Sequence, residues 1–185
     1  MRNFSAPSLL PERWNMKIKI SGIERHSLVN GPGVRYVLFT QGCPHACPGC
    51  QNPETWDIQK GKLYETSTVI SDILATKYLD GVTFSGGDPL FQPEAIKEIA
   101  MELKRHGLNI WCYTGYTYEE ILNGPSQARR DVLPYLDVLV DGRFVLSLKS
   151  ENCLYRGSTN QRLIDVPSSL REGKCVEITK LNYGL

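Results

Sequence analysis

The sequence predicts an α/β fold built on a mostly parallel sheet, and three observations point there. Apolar, β-rich segments alternate with amphipathic helical segments in the order βαβαβα. That alternation calls for parallel strands joined by right-handed crossovers. Four polar or glycine-rich loops each follow the C-terminal end of a strand segment, the rim where parallel sheets build their sites. An open sheet and an incomplete barrel both satisfy this pattern.

Residues 16–23 alternate sides, with Ile18 and Ile20 on one face, and read as a strand. Residues 34–40 are nearly continuous in apolar side chains, as buried parallel strands are. Residues 66–80 read as a helix: Val69, Ile70, Ile73 and Leu74 share a face, Thr66 or Ser67 can cap it, and Gly81 stops it. Val82-Thr83-Phe84 is a short strand. Over 93–106, Pro93 suits a first helical turn, Ile96, Ile99, Ala100 and Leu103 form an apolar stripe, and Gly107 ends the helix. Residues 109–113 form a strand. Thr117 and Glu120 make a capping box that opens a short helix, closed by Gly124-Pro125. A further short helix covers 126–133, and strands are expected at 136–140 and 163–166.

A chain of 185 residues with 41% hydrophobic and 22% charged content fits one globular domain. We expect that domain over 16–185, after a loose leader or an added strand over 1–15. Pro7, Pro11 and scattered charges stand there in place of a signal peptide's apolar core. The net charge of +1 gives no electrostatic footprint for nucleic acid or an anionic membrane. No apolar run approaches the roughly 18 residues of a membrane span. A cytoplasmic protein with no nucleic-acid or membrane partner is therefore expected. In that compartment six cysteines are metal ligands or free thiols rather than disulfides. Cys112, Cys153 and Cys175 are widely spaced and read as small buried residues or inert thiols.

Cys43, Cys47 and Cys50 are different, because the run Cys43-Pro44-His45-Ala46-Cys47-Pro48-Gly49-Cys50 packs three thiols into eight residues. The set is one ligand short of a closed zinc site or a fully ligated iron–sulfur cluster. Three thiolates on a 4Fe–4S cube leave one iron open to a ligand that is not protein. Pro44 and Pro48 stiffen the loop, so less entropy is lost on presenting the thiolates. Thiolates suit zinc as well as a cluster, and chance spacing is a third reading. His45 is either a fourth zinc ligand, in cramped geometry, or a solvated surface histidine.

Ser85-Gly86-Gly87-Asp88-Pro89 follows the next strand. Two glycines let backbone approach a ligand closely. Asp88 would pair with an ammonium group, and the loop lacks the lysine of a phosphate cradle. Asn30-Gly31-Pro32-Gly33 reads as a turn before a core strand. Asp141-Gly142-Arg143 is either a turn or a carboxylate and guanidinium facing the site, and Arg156-Gly157-Ser158-Thr159-Asn160-Gln161 is a polar loop.

As an ordered set these motifs, with Tyr113-Thr114-Gly115-Tyr116 and Leu139-Val140-Asp141-Gly142-Arg143-Phe144, are specific. They resemble the radical S-adenosylmethionine enzymes, and among them the activating proteins of anaerobic ribonucleoside-triphosphate reductase. The likeness spans roughly residues 29 to 165. It implies an incomplete (β/α)6-type barrel. It implies that Cys43, Cys47 and Cys50 ligate a 4Fe–4S cluster whose open iron takes the amino and carboxylate groups of S-adenosylmethionine. Ser85, Gly86, Gly87 and Asp88 would line the amino group's side, Gly49 and Gln51 the adenine, and Arg143 the carboxylate, with Tyr113 lining the pocket. One electron would cleave the sulfonium, and the resulting 5′-deoxyadenosyl radical would take hydrogen from a backbone glycine. The cofactor would perform the hard step, so no side-chain acid or base is nominated.

The implied partners are the large reductase subunit and reduced flavodoxin or a similar electron donor. Two departures stand out: many such enzymes carry an aromatic residue where Gly49 stands, and many carry Glu at Asp88. An activase of another glycyl-radical enzyme, of the pyruvate formate-lyase type, and a small-molecule enzyme of the same superfamily are alternatives. A zinc or electron-transfer module is the non-enzymatic one.

Overall fold

The computed structural model describes residues 15–179. The expected leader over 1–15 lies, apart from its last residue, outside the described residues.

Seven strands form one sheet: β1 (Lys17–Ser27), β2 (Arg35–Thr40), β3 (Lys62–Glu65), β4 (Gly81–Gly86), β5 (Asn109–Tyr113), β6 (Val138–Asp141) and β7 (Arg162–Asp165). Their spatial order is β3-β1-β2-β4-β5-β6-β7. The pairs β2·β4, β4·β5 and β5·β6 are parallel, while β1·β2, β1·β3 and β6·β7 are antiparallel. Strand β3 therefore runs with the central four, and the sheet is mostly parallel with antiparallel flanks. Only β3, β4, β5 and β7 are each followed by an α-helix before any further strand, so six β/α repeats are not present among the described residues. No helix among them is long and apolar enough to cross a membrane.

The two faces of the sheet have different cover. Successive side chains in a strand point to opposite faces. Tyr36, Leu38, Val82, Phe84, Ile110, Cys112, Leu139 and Ile164 share one face and join the main core. Helices α1 (Thr66–Ala75) and α2 (Pro93–Arg105) fill that core with Val69, Ile70, Ile73, Ile96, Ile99 and Leu103. The opposite parity puts Arg35, Phe39, Thr83, Ser85, Trp111 and Tyr113 on the other face, which loops cover and where the cavity opens.

Two expectations for the first helix are corrected. It ends at Ala75, not at 80, because Thr76 turns extended, and its N-cap is Glu65 with no side-chain cap. Thr66 is buried and its hydroxyl donates to Glu98 Oε1 at 2.7 Å instead. Gly81 is not a helix stop but the first residue of β4, facing Arg35. A Cβ there would lie 2.4 Å from an Arg35 guanidinium nitrogen.

Arg35 is 1% exposed and has no ion-pair partner among the described residues. It donates to Thr83 Oγ1, Asn109 Oδ1 and the carbonyls of Val82 and Asn109, and its guanidinium lies 5.6 Å from the centre of the Trp111 ring. Burial pushes its pKa down to about 10. Thr83 Oγ1 passes the contact on by donating to the carbonyl of Asn30, so the Asn30 turn rests on a buried cation.

The Thr117 capping box opens α3 (Tyr118–Asn123) with both reciprocal bonds present. Helix α4 (Gln127–Arg130) is shorter than the expected 126–133, and α5 (Val166–Glu172) follows β7. Strand β3 was not anticipated.

Candidate metal centre and cofactor cavity

The cysteine loop leaves β2 through Gly42, whose φ of 98° only glycine adopts without strain. The amides of Gly42 and Cys43 donate to the carbonyls of Thr55 and Trp56, at 2.7 and 3.1 Å, closing the base of the loop. Cys43, Cys47 and Cys50 are all half-buried free thiols on one cavity of about 480 Å³. That volume is in the range of small-molecule sites. Burial pushes the Cys43 thiol up to about 11, and the amides of His45 and Ala46, hydrogen-bonded to its sulfur, act against that. The Asn52 amide donates to Cys50 Sγ at 3.4 Å. Amide bonds to sulfur are what a cluster's thiolate ligands carry.

No three His, Cys, Asp or Glu side chains among the described residues converge on a point that would hold a single metal ion. A cube takes one thiolate per iron, and three half-buried thiols on one cavity are a donor set it can use.

The Gly86-Gly87 turn lies against the root of the cysteine loop. A Cβ on Gly86 would come within 2.7 Å of the Thr40 nitrogen, and one on Gly87 within 2.4 Å of the Gly42 carbonyl. The Gly87 amide donates to Thr40 O and the Asp88 amide to Gly42 O, both at 2.8 Å. These glycines are thus dictated by close contact with neighbouring backbone as well as by access to the cavity.

His45 is not on the surface. Its side chain is 4% exposed and its Nε2 lies 2.7 Å from Asp88 Oδ2. The Asp88 carboxylate also accepts from the Leu90 and Gly115 amides and from Thr114 Oγ1. It lines the cavity, yet its oxygens are turned to protein donors.

Of the residues expected from sequence, Cys43, Cys47, Cys50, Gln51, Ser85, Gly86, Gly87, Asp88 and Tyr113 line this cavity. Gly49 and Arg143 do not, and Arg143 is exposed. The guanidinium on the cavity is that of Arg156. Its Nε is buried without a hydrogen-bond partner among the described residues, while one terminal nitrogen donates to Gln161 O. The Gln161 side chain braces two motifs, accepting from the amides of Gly157 and Ser158 and donating to Gly142 O. Asp141 faces away from the site and binds Arg162 and the Tyr118 amide. Phe39 and Tyr155 also line the cavity and were not anticipated, while Thr114 and Gly115 belong to the 113–116 loop expected at this rim. For Phe39, its parity with Arg35 in β2 was an available signal. Burial raises the pKa of the Tyr113 hydroxyl, which therefore stays protonated at neutral pH.

Residues 29–164 match the family model for a 4Fe–4S single cluster domain. The chain is 39% identical over 142 residues to the anaerobic ribonucleoside-triphosphate reductase-activating protein of Enterobacteria phage T4, covering 73% of this chain and 86% of that protein. It is 38% identical over 143 residues to the protein of the same name from Escherichia coli (strain K12), covering 72% and 90%. The chain belongs to the anaerobic ribonucleoside-triphosphate reductase-activating protein family. A solved structure, QueE from Escherichia coli, matches with a TM-score of 0.44 and 18% identity over 55% of this chain and 54% of that one. In this chain, the region matched to the cluster domain contains the thiol loop, the Gly86-Gly87 turn and the Arg156 loop.

Proposed function

We propose that this chain is a radical S-adenosylmethionine enzyme that installs a glycyl radical on the large subunit of anaerobic ribonucleoside-triphosphate reductase. Cys43, Cys47 and Cys50 would hold the 4Fe–4S cluster, leaving one iron for S-adenosylmethionine. Bound there, such a cluster would supply the electron for reductive cleavage of S-adenosylmethionine, the chemistry that hydrogen abstraction from the partner's glycine requires.

The protein's own part is to bind, orient and exclude water. The Gly86 and Gly87 backbone faces the amino group of S-adenosylmethionine, and Ser85 stands beside it. Asp88 fixes that loop. Arg156, whose Nε has no hydrogen-bond partner among the described residues, takes the carboxylate in place of the exposed Arg143. Gln51, with Gly49 behind it, borders the adenine. Phe39, Phe144 and Tyr155 supply apolar wall, and the protonated Tyr113 offers a hydroxyl but no base.

The observation that carries this reading is that the thiol loop and the Gly86-Gly87 turn share one cavity and are stapled together by the Asp88 amide on Gly42 O. The sheet, helix-covered on one face only, is read as an incomplete barrel, and residues 16–185 as one domain. Six free thiols suit a reducing cytoplasm, with reduced flavodoxin or a similar protein as electron donor.

Anaerobic reconstitution tests the chemistry. The protein should bind about four irons and, with dithionite and S-adenosylmethionine, yield 5′-deoxyadenosine that Cys47→Ala does not. Zinc without iron would overturn the reading.

A further inference from the structure

His45 lies between two of the three thiols, and its side chain enters a polar knot with Asp88. Its imidazole and the Asp88 carboxylate are 4% and 1% exposed, and they meet at 2.7 Å. A carboxylate only accepts, so Nε2 carries the proton in this bond. The same Asp88 oxygen accepts from the Gly115 amide at 3.0 Å, and Thr114 Oγ1 donates to the carboxylate. One carboxylate thereby joins the cysteine loop, its own glycine turn and the loop after β5.

The packing around the imidazole is equally specific. A Cβ on Gly115 would stand 2.3 Å from His45 Cδ2, so the Thr114-Gly115 turn is moulded to the ring. Tyr116 meets the ring edge-on with centroids 4.5 Å apart, and the Arg129 guanidinium covers the Tyr116 ring at 4.0 Å. Meanwhile the backbone amides of His45 and Ala46 bond the Cys43 sulfur. The side chain of His45 and its amide thus act on two different parts of the site through one residue.

We infer that His45 is a positioning residue: its bond to Asp88 locks the amides that face Cys43 and holds the Gly86-Gly87 turn at its distance from the thiol loop. The inference rests on reading this cavity as the S-adenosylmethionine site. Losing the bond should loosen both ends. The glycine turn would drift from the loop, weakening ligand binding, and the Cys43 sulfur would lose hydrogen bonds that favour the reduced cluster.

The test uses the full chain with its reconstituted cluster, measuring the S-adenosylmethionine dissociation constant and the cluster's midpoint potential. His45→Gln keeps an N–H near the place of Nε2. His45→Asn is polar but too short to reach Asp88, and His45→Ala removes the group. We expect His45→Ala and His45→Asn to weaken binding about tenfold, the scale of a lost charge-assisted bond, and to make the potential more negative. His45→Gln should restore most of both. The double variant His45→Ala/Asp88→Asn should be no weaker than its worse single parent, since coupled residues are not additive.

Wild-type affinity and potential in His45→Asn, or equal impairment in His45→Gln and His45→Ala, would overturn the inference. If His45→Ala loses its cluster, the Gln and Asn pair still decides. Wild-type protein that binds no iron overturns the functional reading and this inference with it. Wild-type binding with an indifferent His45 overturns only the inference.

Discussion

Leu146 Cδ1 lies 2.8 Å from where a Cβ on Gly49 would stand. Leu146 belongs to a 3₁₀ turn, Leu146–Leu148, that lies on the last residue before the third thiol. Its side chain occupies the space that a residue larger than glycine would need at position 49. The absence of an aromatic residue there, read from sequence as a departure from the superfamily, therefore has a structural counterpart in a distant loop.

Gly49 also has a φ of 73°, in the left-handed region. Gly49→Ala should cost about 1–2 kcal/mol, the usual penalty for a side chain in that conformation. Leu146 is exposed and its tip can move aside, so Leu146→Ala should not rescue the variant. Urea unfolding of both single variants and the double under anaerobic conditions measures this. Full rescue in the double variant would assign the cost to the contact rather than to the backbone.

Arg162 binds the buried Asp141 at 2.5 Å and the half-exposed Glu119 at 2.6 Å. Arg162→Met leaves Asp141 as an uncompensated buried charge and should destabilise the fold by about 3 kcal/mol at neutral pH. The hydrogen bond from Arg162 holds the Glu119 carboxyl below its ordinary value. That contribution is present above the ordinary Glu value of about 4.3 and is lost as pH falls through the lowered native one. The stability gap between wild type and Arg162→Met should therefore narrow in acid. Unfolding curves at neutral and acid pH check the sign. A gap that widens in acid would contradict it.

The parts of the fold legible in sequence are those whose cause is local. The apolar run of β2 and the Pro93-to-Gly107 stripe need no partner to be recognised, and both formed as expected. Strand β3 escaped because its four residues, Lys62–Glu65, are an edge with little burial and only the pairing to β1 makes them a strand. Gly81 was misassigned because its need for a missing side chain comes from the Asn109 carbonyl and the Arg35 guanidinium, contacts made across the sheet. In the site, the loops at the strand ends could be placed from topology alone. His45 could not, because its burial depends on Asp88, 43 positions away. The same limit explains the choice of Arg143 over Arg156. Both sit in polar motifs, and only the folded loop, braced by Gln161, decides which cation faces the cavity.

That choice is open to experiment. Arg156→Gln should weaken S-adenosylmethionine binding by about tenfold, as expected for a lost charge-assisted hydrogen bond. Arg143→Gln should leave binding within about twofold, since surface charges contribute little. Anaerobic equilibrium dialysis of the iron-loaded proteins distinguishes them. The reverse ranking would restore the assignment to Arg143.

The most direct measurement is electron paramagnetic resonance of the large anaerobic reductase after anaerobic incubation with this protein, S-adenosylmethionine and a reductant. The account predicts a glycyl-radical signal on the reductase, with methionine and 5′-deoxyadenosine formed in step, and neither signal nor products with Cys47→Ala. A reductase that stays silent while the iron-loaded protein cleaves S-adenosylmethionine, or that acquires its signal from Cys47→Ala as readily, would contradict it.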